Sequence, residues 1–306
     1  MNPELSFIAA LRSFATHPAA RGLMDDAAVL ELGGAKLVLT QDTLVEGGHF
    51  LSTDPPEDVA WKLVAVNVSD LAAKGATPLA ALMSFTLGSD ESWNTRFAAG
   101  LGEALSHFGA ALIGGDTVSA PTRVISLTLI GEAKGAVPSR SGAGAGDALF
   151  VTGKIGDAGL GLAIAKGEQD GPEALLNAYR RPVPQLAAGA MLAPIVTAMM
   201  DVSDGLLIDA SRLAEASGHA VMIDLDAVPL SPEFVASAGH DRAARLLAAT
   251  AGDDYQLLFT SALPLPSLPC PVTRIGQIIP GNGVHLYDGA GGVPLPARLG
   301  WLHGLP

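Results

Sequence analysis

Residues 57–75 read EDVAWKLVAVNVSDLAAKG, and this stretch decides the fold class. Pro55 and Pro56 stand just before it, where a fixed φ and a missing N–H suit the first turn of a helix; Gly75 stands where a helix can end. Between them the apolar residues run almost unbroken, so the spacing predicts a long buried helix. KLVLT at 36–40 and the run 79–87 read as strands on either side of it. Strand, helix, strand is the signature of an α/β layer.

Working outward, residues 4–16 and 92–108 read as helices, and 111–113 and 123–132 as strands. SRSGAGAG at 139–146 is small and flexible, and marks a boundary between domains. Beyond it, strands are expected at 148–152, 221–225, 255–259 and 272–278. Helices are expected at 156–166, 205–217 and 241–250, and a helix followed by a strand over 186–200. The expectation is a mixed α/β (α+β) fold in two domains, 1–138 and 139–306, which the 306 residues accommodate at ~150 per domain.

Composition excludes several functions. Hydrophobic residues make up 49% and charged residues 16%, enough for a sizeable core and against disorder. The formal net charge of -13 is spread over both halves, so no basic face is available for nucleic acid. A single cysteine, Cys270, excludes an intramolecular disulfide and a multi-cysteine zinc site, and fits a reducing cytoplasm. The N-terminus lacks a signal-peptide pattern, and the greasiest run, 186–200, is too short and too broken by Gly189 and Pro194 to span a bilayer.

The informative signal is where the aspartates sit. Asp25, Asp26, Asp42, Asp70, Asp116, Asp201, Asp204, Asp209, Asp253 and Asp254 fall inside or at the ends of apolar elements. Strand ends are where α/β proteins build ligand sites. On the long helix, Asn67 and Asp70 share a face inside LVAVNVSDLAA. A buried carboxylate there needs a proton, a cation or a partner, and Lys74 one turn on is the local candidate. Taken together, the acids suit hard divalent ions and a polyphosphate, since only metals make carboxylates and phosphates tolerable side by side. Ser203 or Asp204 reads either as the cap of the helix at 205–217, or as part of a site with metal at the acids and phosphate at backbone amides. The glycine runs at 142–146 and 156–161 read equally as phosphate loops or as turns. No P-loop, kinase-loop or nucleophile-elbow motif occurs.

QDTLVEGGHF, AVNVSDLAAKGATP, LIGGDT, RSGAGAGDALFVTGKIGDAGLGLAI, MDVSDGLLIDASRLAEASG and AGDDYQLLFT occur in this order. Together they resemble the thiamine-monophosphate kinases, within the aminoimidazole ribonucleotide synthetase superfamily, over nearly the whole chain. The resemblance implies an N-terminal domain that binds ATP and Mg²⁺ and forms a homodimer barrel, followed by a C-terminal α/β domain. It implies Mg²⁺-assisted transfer of a phosphoryl group from ATP to thiamine monophosphate in a cytoplasmic enzyme, with no nucleic acid or membrane partner. By position it implies Asp26, Thr40, Gln41, Asp42, Asp70, Asp116, Asp201 and Asp204 as metal ligands, with Gln41 acting through a backbone oxygen. It implies Gly115, Asp116, Arg140 and Ser203 at ATP, and His49, Asp253 and Trp301 at the substrate. Asp42, Asp70 and Asp116 take the central role of positioning metal for the transfer. The family's G-I-G-D-D reads Gly22-Leu23-Met24-Asp25-Asp26, and Asp253 stands where the family has glutamate, one methylene longer. The alternatives are another ATP-using member of the superfamily, of the hydrogenase-maturation or selenophosphate-synthetase type, a metal-dependent phosphatase, or a silent nucleotide-binding module.

Overall fold

A computed structural model describes residues 3–302. The first half carries helix α1 (Pro3–Leu11), strands β1 (Ala28–Leu32) and β2 (Ala35–Val45), helix α2 (Pro56–Ala73), strand β3 (Thr77–Leu87), helix α3 (Glu91–Phe108), and strands β4 (Ala111–Ser119) and β5 (Val124–Ala133). The strands form one sheet in the order β1-β2-β5-β3-β4, antiparallel except where β3 runs parallel to β4. Helices α2 and α3 cover one face of it, burying Leu63, Val64, Phe97 and Leu101 against Ile125, Leu127 and Leu129. Gly100 lets the two helices meet closely, since a Cβ there would lie 2.5 Å from the Glu57 Cα.

The second half carries β6 (Ala148–Thr152), α4 (Asp157–Ala165), α5 (Glu173–Arg180), α6 (Leu186–Leu192), β7 (Ala198–Val202), α7 (Leu206–Ser217), β8 (Ala220–Asp224), α8 (Pro232–Ala238), α9 (Arg242–Thr250), β9 (Gln256–Ser261), β10 (Val272–Ile279), β11 (Gly283–Asp288) and β12 (Gly291–Val293). Its sheet runs β12-β11-β8-β10-β6-β9-β7. The fold is the expected mixed α/β arrangement with two sheets. The predicted opening helix is shorter than read: it stops at Leu11, and Phe14 beyond it is exposed. Strands β1, β11 and β12 and helices α5 and α8 escape the sequence reading, all being short.

The two halves meet through α2. Its last turn, Ala72 and Ala73, packs with Ala188 and Leu192 of α6 and with Met199, Leu257 and Phe259 of the second sheet. Gly189 makes this possible, because a Cβ there would lie 2.0 Å from the Ala72 carbonyl oxygen. This close approach sets the end of α2 directly over β7, where the site is built.

Candidate active site

Four parts of the chain deliver acids to one place. Asp26 comes from the loop before β1, Asp42 from β2, Asp70 from α2, and Asp201 from β7. One oxygen each of Asp26, Asp70 and Asp201 can be chosen so that all lie within 4.8 Å of one another. The neighbouring residues fix them. Ser69 Oγ donates to Asp201 Oδ2 at 2.7 Å, tying α2 to β7. Thr40 Oγ1 donates to Asn67 Oδ1 at 2.9 Å, tying β2 to α2. That bond uses only the Thr40 proton and leaves its oxygen lone pairs. Asn67 and Asp70 do share the site-facing side of the helix, as their spacing predicts.

Fixed cations surround this cluster. Lys74 Nζ lies 2.5 Å from Asp25 Oδ1 and 2.6 Å from Asp26 Oδ2. Arg140 brings Nε and an Nη each to 2.5 Å from Asp26 Oδ1, and Arg21 reaches Asp25 Oδ2 at 2.6 Å. The sequence offered Lys74 as a helical partner for Asp70; the structure gives it to the Asp25–Asp26 pair instead. Burial works to raise the Asp25 carboxyl, but Lys74 and Arg21 overcome it and hold the group down at about 2. The other acids go the opposite way. Burial, with Asp204 and Asp26 adding repulsion, pushes Asp42 up to about 6. Burial and the nearby Asp26 push Asp201 up to about 8, and burial with Asp42 drives Asp70 well upward.

The loop before α7 departs from expectation. Neither Ser203 nor Asp204 caps the helix by its side chain. Asp209, inside the first turn, accepts the backbone N–H groups of Ser203, Asp204 and Gly205 at Oδ2, at 3.1, 3.1 and 3.2 Å. These amides are therefore occupied and do not form a free phosphate cradle. Arg212 bridges Asp204 and Asp209 at 2.6 Å to each. Neither glycine run is an open loop: Gly144 N–H donates to Asp147 and Gly156 N–H to Asp254, each at 2.8 Å, and residues 157–161 are the start of α4.

A cavity of about 930 Å³ opens over Asp42, Asp70, Asp201 and Asp204, and His49, Asp253 and Trp301 line it too. That is at the upper end for small-molecule sites. Val45 N–H donates to His49 Nδ1, and Trp301 N–H donates to the Asp204 carbonyl. Asp253 is held in a left-handed backbone conformation, φ 68°, by Lys62 at 2.7 Å and the Tyr255 hydroxyl at 2.9 Å. Lys62 itself is buried, 4.1 Å from the centre of the Tyr179 ring. Sequence reasoning missed Lys62, Tyr179 and Tyr255. The available signal was Lys62 itself, a cation inside an apolar helix.

Gly115, Asp116 and the Gln41 side chain lie elsewhere. Cross-strand pairing sets Asp42 in one row with Leu127, Met83 and Gly115. Asp116 sits in the next row, with Thr43, Ser126 and Ser84. Neighbouring rows point to opposite faces, so Asp116 faces away from the α2 side and is three strands, about 14 Å, from Asp42. Gln41 Oε1 accepts from Thr128 on that same outer face.

The cluster fits Mg²⁺ on its own chemistry. Its ligands are hard carboxylate oxygens. Asp26 Oδ2 and Asp42 Oδ2 are buried with no hydrogen-bond partner. Lys74 neutralises the first by charge without hydrogen-bond alignment, which leaves lone pairs for a cation.

The chain matches the N-terminal domain of AIR synthase related proteins over residues 24–133 and the C-terminal domain over 144–289. It is 40% identical to the thiamine-monophosphate kinase of Caulobacter vibrioides, over 94% of this chain and 86% of that one. It superposes on the solved structure of AaThiL complexed with AMPPCP and TMP with a TM-score of 0.88, at 33% identity over 98% and 96% of the two chains. Hydrogenase maturation protein HypE in complex with ATP shares the fold alone, at 21% identity over 94% and 92% of the two chains, with a TM-score of 0.68. With the carboxylate cluster and cavity described above, these likenesses place the chain in the thiamine-monophosphate kinase family.

Proposed function

We propose that this protein transfers the terminal phosphoryl group of ATP to thiamine monophosphate, giving thiamine diphosphate and ADP. The observation that carries this reading is the meeting of Asp26, Asp70 and Asp201 in one cluster, with Asp42, Asp70 and Asp201 at the wall of one large cavity. The solved relative holding both AMPPCP and TMP supports the two substrates.

The acceptor is a phosphate oxygen already ionised near neutral pH, so no strong general base is needed. The obstacle is repulsion between anions. When bound, Mg²⁺ would supply charge neutralisation for the phosphates. The residues to hold it are Asp26, Asp42, Asp70, Asp201 and Asp204, with Thr40 and the backbone oxygen of Gln41. Arg140 keeps N–H groups beyond those spent on Asp26, and with Ser203 it faces the nucleotide. His49, Asp253 and Trp301 orient the acceptor, and Lys62 and Tyr255 hold Asp253 in place.

The same proposal places the domain boundary at 138/139 and makes the protein a cytoplasmic homodimer. Among the described residues, no helix is long and apolar enough to cross a membrane. The outer face and edge of the first sheet expose Leu82, Leu112, Ile113 and Val118, an apolar patch that a second copy would cover. Asp116 lies on that face and Gly115 next to it on the edge strand, so in this reading the partner's copies of both residues complete each site.

Chromatography of the thiamine species after incubation with ATP, Mg²⁺ and thiamine monophosphate tests the reaction. Thiamine diphosphate with matching ADP is expected; free phosphate with no diphosphate would indicate the phosphatase, and bound ATP without turnover the silent module. Asp42→Asn is expected to lower turnover by about 10²–10³ with an unchanged circular-dichroism spectrum; near-normal turnover would remove Asp42 from the mechanism.

A further inference from the structure

Lys74 is fully buried at the C-terminal cap of α2. Its ammonium touches carboxylates of two consecutive residues, Asp25 and Asp26, and lies 3.4 Å from the Met199 carbonyl oxygen. Few places suit a buried ammonium, and this one is made by two acids and a backbone carbonyl. Asp26 is also one of the three carboxylates that meet within 4.8 Å. Thus one built-in cation sits at the flank of a group of oxygens suited to divalent ions.

The charges around it divide the cluster in two. Asp25 is shared by Lys74 and Arg21, and Asp26 by Lys74 and Arg140. Three fixed cations therefore balance the Asp25–Asp26 side. On the other side, Asp201 receives a neutral donor, the Ser69 hydroxyl, and Asp70 faces Asp42 and Asp201 across a short gap. Divalent charge is needed there, against the field of an ammonium that never leaves.

We infer that Lys74 is a permanent monovalent cation of the carboxylate cluster. It keeps the Asp25–Asp26 wall assembled when no metal is bound, and it weakens the attraction of the cluster for Mg²⁺, so that bound metal leaves more readily. Lys74 is a positioning residue in this role, and the inference rests on the Mg²⁺ reading given above.

The test uses MgCl₂ alone, without nucleotide, on the full chain. Titration calorimetry and thermal melting are compared for the wild type, Lys74→Met, and the charge-balanced pair Lys74→Met/Asp25→Asn. Removing one positive charge at this range should tighten Mg²⁺ binding in Lys74→Met on the order of tenfold. The same variant should melt earlier in chelator and recover in Mg²⁺. The double variant should return both properties toward the wild type. A Lys74→Met protein that folds only with Mg²⁺ supports the inference as well. If it fails to fold in either condition, recovery of the wild-type melting point by the double variant supports the inference. A double variant that also fails to fold overturns it, because Lys74 would then serve packing alone. Equal or weaker Mg²⁺ binding by folded Lys74→Met overturns the inference while leaving the metal site intact. A wild type that does not respond to Mg²⁺ overturns the metal site itself, and the inference with it.

Discussion

Strands β4 and β7 are both edge strands, both carry apolar side chains, and each carries one of the predicted site acids. They meet opposite fates. β7 is buried at all five positions, because β9 pairs with one side, α2 and α6 cover it, and the Met199 N–H on its free edge donates to the Ser139 carbonyl at 2.9 Å. β4 is exposed along its whole length, with Ile113 61% and Val118 53% accessible. An apolar edge strand announces that something covers it, without saying what. The acid follows the cover: Asp201 of β7 meets its own chain's α2, whereas Asp116 of β4 looks outward, away from it.

The largest effect expected from this contrast is a complementation. Asp201→Asn and Asp116→Asn should each be nearly inactive alone. If Asp116 serves the partner's site, refolding the two together in equal amounts should restore about a quarter of wild-type activity, since each hybrid dimer keeps one intact site. No restoration would mean that Asp116 acts within its own chain. A smaller change is expected from charging the exposed strand. Ile113→Lys should halve the mass seen by sedimentation while the circular-dichroism spectrum stays folded; an unchanged mass would mean that β4 is not the interface.

The smallest effect is a pH slope. In the metal-free protein, Asp42 and Asp201 hold their protons up to about 6 and about 8, well above the ordinary 3.8. The folded state therefore binds more protons than the unfolded chain between pH 4 and 8, and stability falls as pH rises through that window. Asp25, held down at about 2, contributes only at lower pH. The melting temperature in chelator should fall by a few degrees from pH 5 to pH 8. Asp201→Asn should flatten much of that slope and Asp116→Asn should leave it, whereas equal slopes in both variants would break the contrast between the strands.

Much of this was legible from residue order. The prolines before α2 and the glycine after it bound the helix, and Asn67 and Asp70 share its site-facing side because i and i+3 neighbours do. What stayed hidden came from contacts remote in sequence. Lys74 looked like a partner for Asp70, its neighbour one turn away, yet Asp25 and Asp26 lie 49 and 48 positions back. In the fold, Asp254 is buried against the Gly156 amide, and Asp253 is gripped by Lys62. The Asp209 side chain fills the amides that looked open before α7, because a first-turn acid can reach back over its own helix start. Strands β11 and β12 escaped because they are short: the alternation in β11 rests on Val284 and Leu286 alone, and β12 has three residues, two of them glycine.

Helix α2 has one flank in the interior of the first sheet and its last turn in the interior of the second. A rod embedded in both halves couples them mechanically, while the rim of the cavity is made by segments outside regular elements, Gly47–Leu51 and Arg298–Trp301.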